Sequence, residues 1–418
     1  MRVLIIGINY HPEPTGIGPY TTGLAEYLAA RGDEVTVITG LPSYPGWRLM
    51  HGAPRRLLTT ERLGGVTVIR AAHFVPAKQT AVKRALYEGT FGLTGLIASL
   101  RVQRQDAILG IVPSLSGGIL ARLTAQRIRA PYGLLFQDLM GPAAEQSGIT
   151  GGGAVARATS AAESSAAARA RAVGVVAETF TPYLTSTGVP VERIHHVPNW
   201  ARLAQPTFSR AETRRRFGWP DDRQVVLHAG NMGLKQGLEQ VVDAARLAAD
   251  RAEPLRFVIA GDGSQAEALR AMGAGLPTLE FLPVQSEGLH ASLLAAADVL
   301  LLCERSTQLD MSLPSKLTGY LAAGRPILAA VPVAGASARE VGRAGAGLTV
   351  SAGNPGSILD TLARLRSDQA LAARLATAGP RYAEANLGAT ACLKRAAALV
   401  DAIAGVVTPA AVAVGAAA

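Results

Sequence analysis

Residues 2–39 read RVLIIGINYHPEPTGIGPYTTGLAEYLAARGDEVTVIT, and their pattern indicates the fold class. It opens on an apolar run without alternation, Arg2–Ile8, which is typical of a strand buried on both faces. A loop rich in Gly and Pro follows, then apolar residues at helical spacing over Thr21–Gly32, then a second apolar run, Glu34–Thr39. Strand, helix and strand in this order predict a βαβ unit, the opening of a doubly wound parallel sheet.

The strand pattern continues along the chain and then starts again. Further buried strands of the first half are predicted at Val66–Ala72, Asp106–Val112, Tyr132–Asp138, Ala172–Glu178 and Arg193–Asn199. A second cycle begins at Gln224 with the strands QVVLHAG, LRFVIAGDG, LEFLPV, DVLLLCE and PILAAV. The fold class is therefore α/β, with two Rossmann-like domains that we expect to face one another across a cleft.

The domain boundary is predicted near VPNWARLAQP, where Pro198 and Pro206 mark a linker. We expect an N-terminal domain over 1–200, a C-terminal domain over 201–384, and a flexible tail over 405–418. The helical region before the tail, about 385–404, has no strand after it, and we expect it to pack back on the first domain.

The composition fits a folded protein of two domains. Of the 418 residues, 49% are hydrophobic and 17% are charged, which excludes a largely disordered chain. Cys303 and Cys392 lie far apart without a CxxC pattern, so their spacing predicts neither a disulfide framework nor a zinc site. The N-terminal apolar run is short for a secretory signal, and no stretch of about 20 apolar residues occurs. We expect a cytoplasmic protein.

The positive charge is concentrated in one part of the chain. Arg48–Arg129 carries 13 Lys and Arg against three acidic residues, an excess that equals the +10 net charge of the whole chain. Such a patch is typical of a surface that binds phosphate, in anionic lipid or a lipid-linked diphosphate, although a solvated face explains it equally well. Aromatic residues are only 5%, which disfavours nucleic acid as a partner.

One segment of this basic region could lie on a membrane. Lys83–Arg104, KRALYEGTFGLTGLIASLRVQR, is apolar in its middle and basic at both ends, as an interfacial helix is. A buried helix with basic ends fits the same pattern. A peripheral position at the inner face of the cell membrane is therefore one expectation for this protein.

Glycine-bearing turns follow several of the predicted strands. Glycines between a strand and a helix let backbone N–H groups approach an anion, and the helix dipole favours negative charge there. Plain tight turns and a solvated lysine are the alternatives, and the first turn lacks the GxGxxG pattern of dehydrogenases. The candidate ligand contacts in these turns are Gly16, Gly18, Gly230, Asn231, Lys235, Gly261, Asp262 and Gly263. Lys235 is expected at the opening of a helix, where its charge conflicts with the helix dipole and indicates an anion.

The clearest anion site is MSLPSKLTGYLAAGRP, Met311–Pro326. Pro314 suits the first turn of a helix and Ser312 suits its N-cap. A lysine in that first turn stands where the helix dipole is already positive, which indicates an anion between the two. The predicted diphosphate contacts are Leu313, Pro314, Ser315 and Lys316.

The ordered set PEPTGIG, VPNW, GNMGLKQGL, AGDG and LPSKLTGYLAAGRPIL closely resembles family-4 glycosyltransferases, from Val3 to about Ala404. The resemblance is nearest to the branch that builds bacterial exopolysaccharide, including colanic-acid-type transferases. It implies a GT-B fold and a retaining mechanism that needs no metal or other cofactor. It also implies a UDP- or GDP-linked sugar donor held mainly by the C-terminal half, and a glycan or lipid-linked diphosphate acceptor held by the N-terminal half.

The chain departs from the family pattern at the donor site. Asn231 stands at the position of the family's arginine, and the family's lysine corresponds to Lys235, with Gln236 as a rival match. The E-x7-E glutamates are replaced by Met311 and Gly319. Glu304 and Asp310 are candidates for the missing ribose-binding carboxylate.

The resemblance also suggests roles in catalysis. Lys235 and Lys316 are expected to stabilise the departing nucleoside diphosphate. In the first domain the family's histidine corresponds to Gln137, and the next residue, Asp138, is the candidate for orienting or deprotonating the acceptor. A cap of a helix or loop is the alternative for Asp138. A sugar-nucleotide epimerase or hydrolase, and a non-catalytic polyanion- or membrane-binding protein, remain the alternative functions.

Overall fold

The computed structural model describes residues 1–54, 56–77, 80–139, 153–306 and 314–406. The chain divides into two compact units. Unit 1 comprises Met1–Asn199 and Thr390–Ala418, and unit 2 comprises Trp200–Ala389. Each unit is built on its own sheet.

Unit 1 contains an eight-stranded sheet with helices between most of its strands. The strand order is β3-β4-β2-β1-β5-β6-β7-β8, and all pairs are parallel except the antiparallel pair β3–β4. The elements are β1 (Arg2–Ile6), α1 (Gly18–Ala30), β2 (Glu34–Thr39), β3 (Leu58–Leu63), β4 (Val66–Ala71), α2 (Ala81–Ser99), β5 (Ala107–Val112), α3 (Leu115–Ile128), β6 (Tyr132–Phe136), α4 (Gly153–Ala168), β7 (Ala172–Val175), α5 (Thr181–Ser186) and β8 (Ile194–His196).

Unit 2 contains a six-stranded, fully parallel sheet in the order β11-β10-β9-β12-β13-β14. Its elements are α6 (Arg210–Arg216), β9 (Gln224–Ala229), α7 (Glu239–Asp250), β10 (Leu255–Ala260), α8 (Ala266–Met272), β11 (Leu279–Leu282), α9 (Glu287–Ala296), β12 (Val299–Cys303), α10 (Ser315–Ala322), β13 (Ile327–Val331), α11 (Ala336–Ala344), β14 (Gly347–Ser351), α12 (Pro355–Ser367) and α13 (Gln369–Leu387). Short 3₁₀ turns lie at Glu178–Phe180, Val191–Arg193 and Leu234–Gln236.

The central strands are completely buried because helices cover both faces of each sheet. In β5, β12 and β13 every residue is buried, as their unbroken apolar sequences predict. Two apolar clusters, one for each face, enclose the sheet of unit 2. Both halves are therefore Rossmann-like α/β folds, as the sequence predicts.

The last helix, α14 (Ala389–Ala404), contributes to unit 1. Its Ile403 and Leu399 lie against Gly133 of β6 and Gly174 of β7, where a Cβ on either glycine would approach the side chain to within 2.6 Å. Asp401 also accepts a hydrogen bond of 3.0 Å from Arg31. The sheet therefore has glycines where this helix packs closely against it.

Two strands of the structure have no counterpart in the sequence predictions. β3 pairs with β4 as an antiparallel edge strand and is largely exposed. β14 lies at the edge of the second sheet and is only half-buried. Their polar or mixed sequences lack the apolar runs that reveal buried strands.

Candidate active site

The turns after β9 and β10 pack backbone against backbone. The strands are parallel neighbours, so their carboxyl ends meet at one edge of the sheet. The amide of Gly230 donates to the carbonyl of Ala260 (2.8 Å), and that of Met232 donates to the carbonyl of Asp262 (2.8 Å). A Cβ on Gly261 would lie 1.9 Å from the carbonyl oxygen of Gly230, so only glycine fits there.

Asn231 and Asp262 shape these two turns. A Cβ on Gly263 would lie 2.6 Å from Oδ1 of Asn231, so the amide side chain lies directly over that glycine. Asp262 Oδ1 accepts from the backbone N–H of Gly263 (2.9 Å). The residues that the sequence assigned to ligand binding here thus also determine how the two turns fit together.

Lys316 brings a positive charge to this edge of the sheet. It is the second residue of α10, and its aliphatic chain passes over the turn after β9, where a Cβ on Gly230 would lie 3.3 Å from Lys316 Cε. Its Nζ donates to Nε2 of His228 (3.1 Å) and to Oε1 of Gln236. Within the part of the chain that the structure describes, these two acceptors take two of the three ammonium protons and leave one for a ligand.

His228 holds its neutral form in this cluster. It is fully buried in β9, and its Nδ1 lies 3.1 Å from the carbonyl oxygen of Leu301 in β12. The tautomer with its proton on Nδ1 donates to that carbonyl and lets Nε2 accept from Lys316, and the backbone of Asn231 also hydrogen-bonds to the ring. The pKa of His228 is held well below 6.5, first by burial and then by the Lys316 charge.

Burial lowers the pKa of Lys316 to about 8, while Cys303 and Glu304 act in the opposite direction. The side chain is therefore mostly an ammonium at neutral pH. Burial raises the pKa of Cys303 to about 12, which keeps its thiol protonated. Glu304 is buried directly after β12, and its Oε1 accepts from Ser337 Oγ (2.7 Å). Glu304 therefore lies close enough to Lys316 to favour its charged form.

Tyr320 ties α10 to the end of β9. Its hydroxyl accepts from the amide of Ala229 (2.8 Å) and donates to the carbonyl of the same residue (3.2 Å). β12 pairs with β9 only at Val226 and Leu227, so the end of β9 lacks a neighbouring strand on that side. The tyrosine hydroxyl replaces that strand, and α10 thereby fixes the place of Lys316.

Two details of the sequence prediction are wrong. Lys235 was expected at the opening of a helix, but it is an exposed residue of the 3₁₀ turn Leu234–Gln236, and α7 begins only at Glu239. The residue brought to Lys316 is its neighbour Gln236, because the turn directs adjacent side chains differently. Pro314 is the N-cap of α10, with extended backbone, and lies just before the first turn rather than in it. Ser315, the first residue of α10, is exposed.

The other residues of the Met311–Pro326 stretch are not all placed. Leu313, a predicted diphosphate contact, lies outside the described residues, as do Ser312, Met311 and Asp310. Gly319 is buried within α10.

In unit 1 the first glycine turn surrounds a buried carboxylate. Oε1 of Glu13 accepts from the amides of Ser43 and Tyr44 (both 2.9 Å), and Oε2 accepts from Asn9. A Cβ on Gly16, at φ +71°, would lie 2.8 Å from the Tyr44 ring, and one on Gly18 would lie 3.1 Å from Cβ of Glu13. Both glycines therefore have a packing role beside Glu13, whose pKa is raised by burial, and their predicted contact with a ligand stays a prediction.

Gln137 and Asp138 follow β6 in the same unit. Gln137 is buried, and its Oε1 accepts from Asn199 Nδ2 (2.7 Å). Asp138 is half-buried and lies near Tyr44, whose pKa is raised by burial and then by the Asp138 charge. The loop after β2, through Tyr44, and the end of β6 thus lie close together near the Asp138 carboxylate.

Among the described residues, neither a metal site nor a membrane-spanning helix is found. Among those residues, no group of three or more His, Cys, Asp and Glu side chains could hold a metal ion. No helix in the described part of the chain has the length and apolarity to cross a membrane.

The chain matches known families over both halves. A model of the glycosyl transferase 4-like domain matches residues 15–200, and one of glycosyl transferases group 1 matches residues 209–382. The colanic acid biosynthesis glycosyl transferase WcaI of Escherichia coli K12 is 35% identical over 335 residues, which is 78% of this chain and 82% of that protein. The chain belongs to the group 1 glycosyltransferases.

Solved structures of other proteins share the fold of this glycosyltransferase. Sucrose-phosphate synthase of Thermosynechococcus elongatus has a TM-score of 0.75 at 18% identity, covering 95% of this chain and 98% of its own. HepE of Anabaena, in complex with UDP, has a TM-score of 0.70 at 13% identity, covering 95% and 99%. The glycosyltransferase therefore has the GT-B fold.

Three residues of this glycosyltransferase's site were not singled out from the sequence as parts of one cluster: His228, Gln236 and Tyr320. The available signal was a histidine inside an apolar strand, directly before a glycine turn, in QVVLHAG. A polar residue in such a strand needs a buried partner. The sequence does not say that the partner comes from a helix 88 residues further on.

Proposed function

We propose that this glycosyltransferase binds the diphosphate of a nucleotide-sugar donor at the Lys316 cluster, with the turn after β9 beneath it. The observation that carries the proposal is the position of the Lys316 ammonium. It is partly buried, donates to His228 and Gln236, and among the described residues has one proton left to donate. A desolvated cation next to a glycine turn interacts strongly with phosphate oxygens.

The same cluster would act on the leaving group. Negative charge grows on the β-phosphate as the bond to the sugar breaks, and a fixed ammonium stabilises that charge without reorganising. Lys316 takes the place of the family arginine, which is Asn231 here, and exposed Lys235 acts as a secondary cation. We further propose that transfer is retaining and needs no metal, with the β-phosphate accepting the acceptor's proton and Asp138 orienting the acceptor.

The donor is proposed to be a UDP- or GDP-linked hexose. HepE, which shares the fold, was solved in complex with UDP. Its 13% identity gives no information on the sugar, so the support comes from the chemistry of the cluster, which recognises a diphosphate whatever the base is. Glu304, buried beside Lys316, is the proposed substitute for the missing ribose-binding carboxylate.

The acceptor is proposed to be a glycan, lipid-linked through a diphosphate, in the synthesis of an exopolysaccharide or cell-surface polysaccharide. The resemblance to a colanic acid biosynthesis enzyme supports this assignment. The proposed location is the cytoplasm, at the inner face of the cell membrane. The concentration of basic residues in Arg48–Arg129 suits an anionic surface.

A donor screen tests the proposed function. The full chain is heated with UDP-, GDP- and dTDP-linked hexoses, with and without EDTA, and its unfolding temperature is recorded. A ligand that binds only the folded protein raises that temperature, by an amount equivalent to about 2.7 kcal/mol at one hundred times its Kd. We expect a shift with one nucleotide class, unchanged by EDTA. No shift with any of the donors contradicts the proposal, and a shift abolished by EDTA contradicts metal independence.

A further inference from the structure

Helix α2 turns an apolar face to solvent. Eight residues of Ala81–Ser99 and its C-cap are exposed and none of them is charged; they form what we call the α2 stripe, Val82, Ala85, Leu86, Gly89, Leu93, Leu96, Ile97 and Leu100. Val82, Leu93 and Leu100 are 71%, 68% and 62% exposed. At 100° per residue the stripe covers an arc of about 120° and a length of about 27 Å. Surface helices normally place polar residues there.

The other face of α2 fixes the helix to unit 1. Tyr87, Phe91 and Ala98 are buried on that side. The Glu88 carboxylate accepts hydrogen bonds from the Ser114 hydroxyl (2.9 Å) and from Ser116 at the start of α3. The side chain of Thr80 caps the helix by accepting from the amide of Lys83. The stripe is therefore a preformed, rigid surface.

Basic residues stand at both ends of the stripe. Lys83 is partly exposed at one end, and Arg101 and Arg104 are exposed just beyond the other. Lys83 lies in the first turn of α2 and Arg101 just past its C-cap, so a cation lies near each end of the stripe. The only acidic side chain of the helix, Glu88, is bonded to the two serines and points away from the stripe.

This charge pattern decides between two occupants. If a second copy of the chain paired its stripe with this one, a parallel arrangement would bring Lys83 to Lys83 and Arg101 to Arg101. An antiparallel arrangement would bring Lys83 to Arg101. Both juxtapose like charges, which costs free energy. A sheet of anionic headgroups over an apolar layer complements the cations and the stripe together.

We propose that the α2 stripe is the membrane-docking surface of this protein, lying in the interface of an anionic bilayer with Lys83, Arg101 and Arg104 among the headgroups. The proposal rests on the membrane location put forward under the proposed function and names the surface and the lipid class. The contacts that hold the donor diphosphate all lie in unit 2, so docking and donor binding use different residues.

Vesicle co-sedimentation of the full chain tests this surface, using phosphatidylglycerol–phosphatidylcholine vesicles and pure phosphatidylcholine vesicles. We expect binding to the anionic vesicles that weakens with salt. The double variant Leu93→Glu/Ile97→Glu should lower the partition coefficient by about tenfold or more, because two apolar contacts become charged. Lys83→Glu/Arg101→Glu should lower binding to the anionic vesicles only.

A matched control uses Val284→Glu/Val333→Glu, which charges two exposed valines of unit 2, 70% and 66% exposed, and should bind vesicles nearly as the wild type does. All variants should keep the donor-induced thermal shift, which shows that they are folded. Equal sedimentation of the wild type and Leu93→Glu/Ile97→Glu overturns the proposal. A lipid-free dimer in sedimentation velocity that the same variant dissociates also overturns it, in favour of a second copy.

The proposed function and the proposed docking surface can be refuted independently of each other. Vesicle binding requires no donor, so a protein that docks but shows no thermal shift with any nucleotide sugar refutes only the proposed function. A protein that shows the shift but does not bind vesicles refutes only the docking surface.

Discussion

At the scale of single residues, the proposed donor site depends on how one partly buried ammonium is satisfied. An unpaired charge inside a protein is costly, and proteins keep such a group only when hydrogen bonds compensate it. Lys316 has a neutral imidazole and an amide as acceptors, and neither carries a charge that would cancel its own. The third ammonium proton is therefore left for a ligand, while the Glu304 carboxylate nearby favours the charged form of Lys316.

The pH dependence of nucleoside diphosphate binding follows from Lys316. Burial lowers the pKa of this lysine to about 8, so the free protein loses the ammonium as pH rises through that value. The charge of UDP or GDP is nearly constant above pH 7, since the last phosphate proton leaves near pH 6. We expect the affinity to fall between pH 7 and 9, measured by calorimetric titration.

The matched control for this pH dependence is Lys316→Arg. A guanidinium stays charged over the whole range, so the fall should disappear even if the variant binds more weakly at pH 7. A wild-type affinity that is constant to pH 9, or a variant that declines equally, contradicts the role of Lys316.

The residues of the cluster could be only partly predicted from the sequence. Lys316 was found because a lysine in the first turn of a helix conflicts with the helix dipole, and that conflict can be seen in one short stretch. The histidine in the apolar strand QVVLHAG shows that a buried partner is needed but not which one, and nothing local assigns Gln236 to Lys316. His228 and Gln236 matter because β9, the 3₁₀ turn and α10 bring them to Nζ, and contacts between distant residues cannot be read from a single sequence.

At the scale of elements, the paired turns after β9 and β10 form the floor of the site. They fit because Gly230 and Gly261, at φ +142° and +144°, adopt backbone angles that side chains disfavour, and because no Cβ separates them. The positions of these strand ends and of the Lys316 cluster therefore depend on one another.

Replacing Gly261 with Ala should break this pairing. The new Cβ would lie 1.9 Å from the Gly230 carbonyl oxygen, so one turn must move and Gly230 moves away from Lys316. We expect a lower unfolding temperature and a smaller donor-induced shift. Gly342→Ala is the control: a Cβ there meets nothing within 4 Å, and alanine in a helix gains about 0.5–1 kcal/mol. Equal behaviour of the two variants would refute the packing argument.

The fold itself was predictable where burial leaves a sequence signature. Buried parallel strands read as unbroken apolar runs, so β9, β10, β12 and β13 could be read directly. The edge strand β11 is mostly half-buried, but its apolar sequence LEFL still revealed it. The edge strands β3 and β14 could not, because their side chains are exposed or half-buried and need no apolar pattern. The antiparallel turn of the chain at β3–β4 was missed for the same reason.

At the scale of the whole molecule, the two units carry different chemistry. The contacts of Lys316, His228 and Gln236 lie within unit 2, and the α2 stripe lies within unit 1. The basic excess of Arg48–Arg129 also falls in unit 1. In the proposed arrangement, unit 2 binds a soluble donor and unit 1 binds a lipid surface. Substitutions in the α2 stripe should therefore leave donor binding intact, and substitutions in the Lys316 cluster should leave vesicle binding intact.

Whether Lys316 holds the donor diphosphate is tested by calorimetric titration of UDP or GDP at pH 7 into the wild type and into Lys316→Ala. We expect the wild type to bind one equivalent and the variant to bind about tenfold or more weakly, the value of one hydrogen bond to a charged group. Lys235→Ala, which removes the exposed lysine of the neighbouring turn, should lose less affinity than Lys316→Ala does. Equal affinities of the wild type and a folded Lys316→Ala protein would contradict the account.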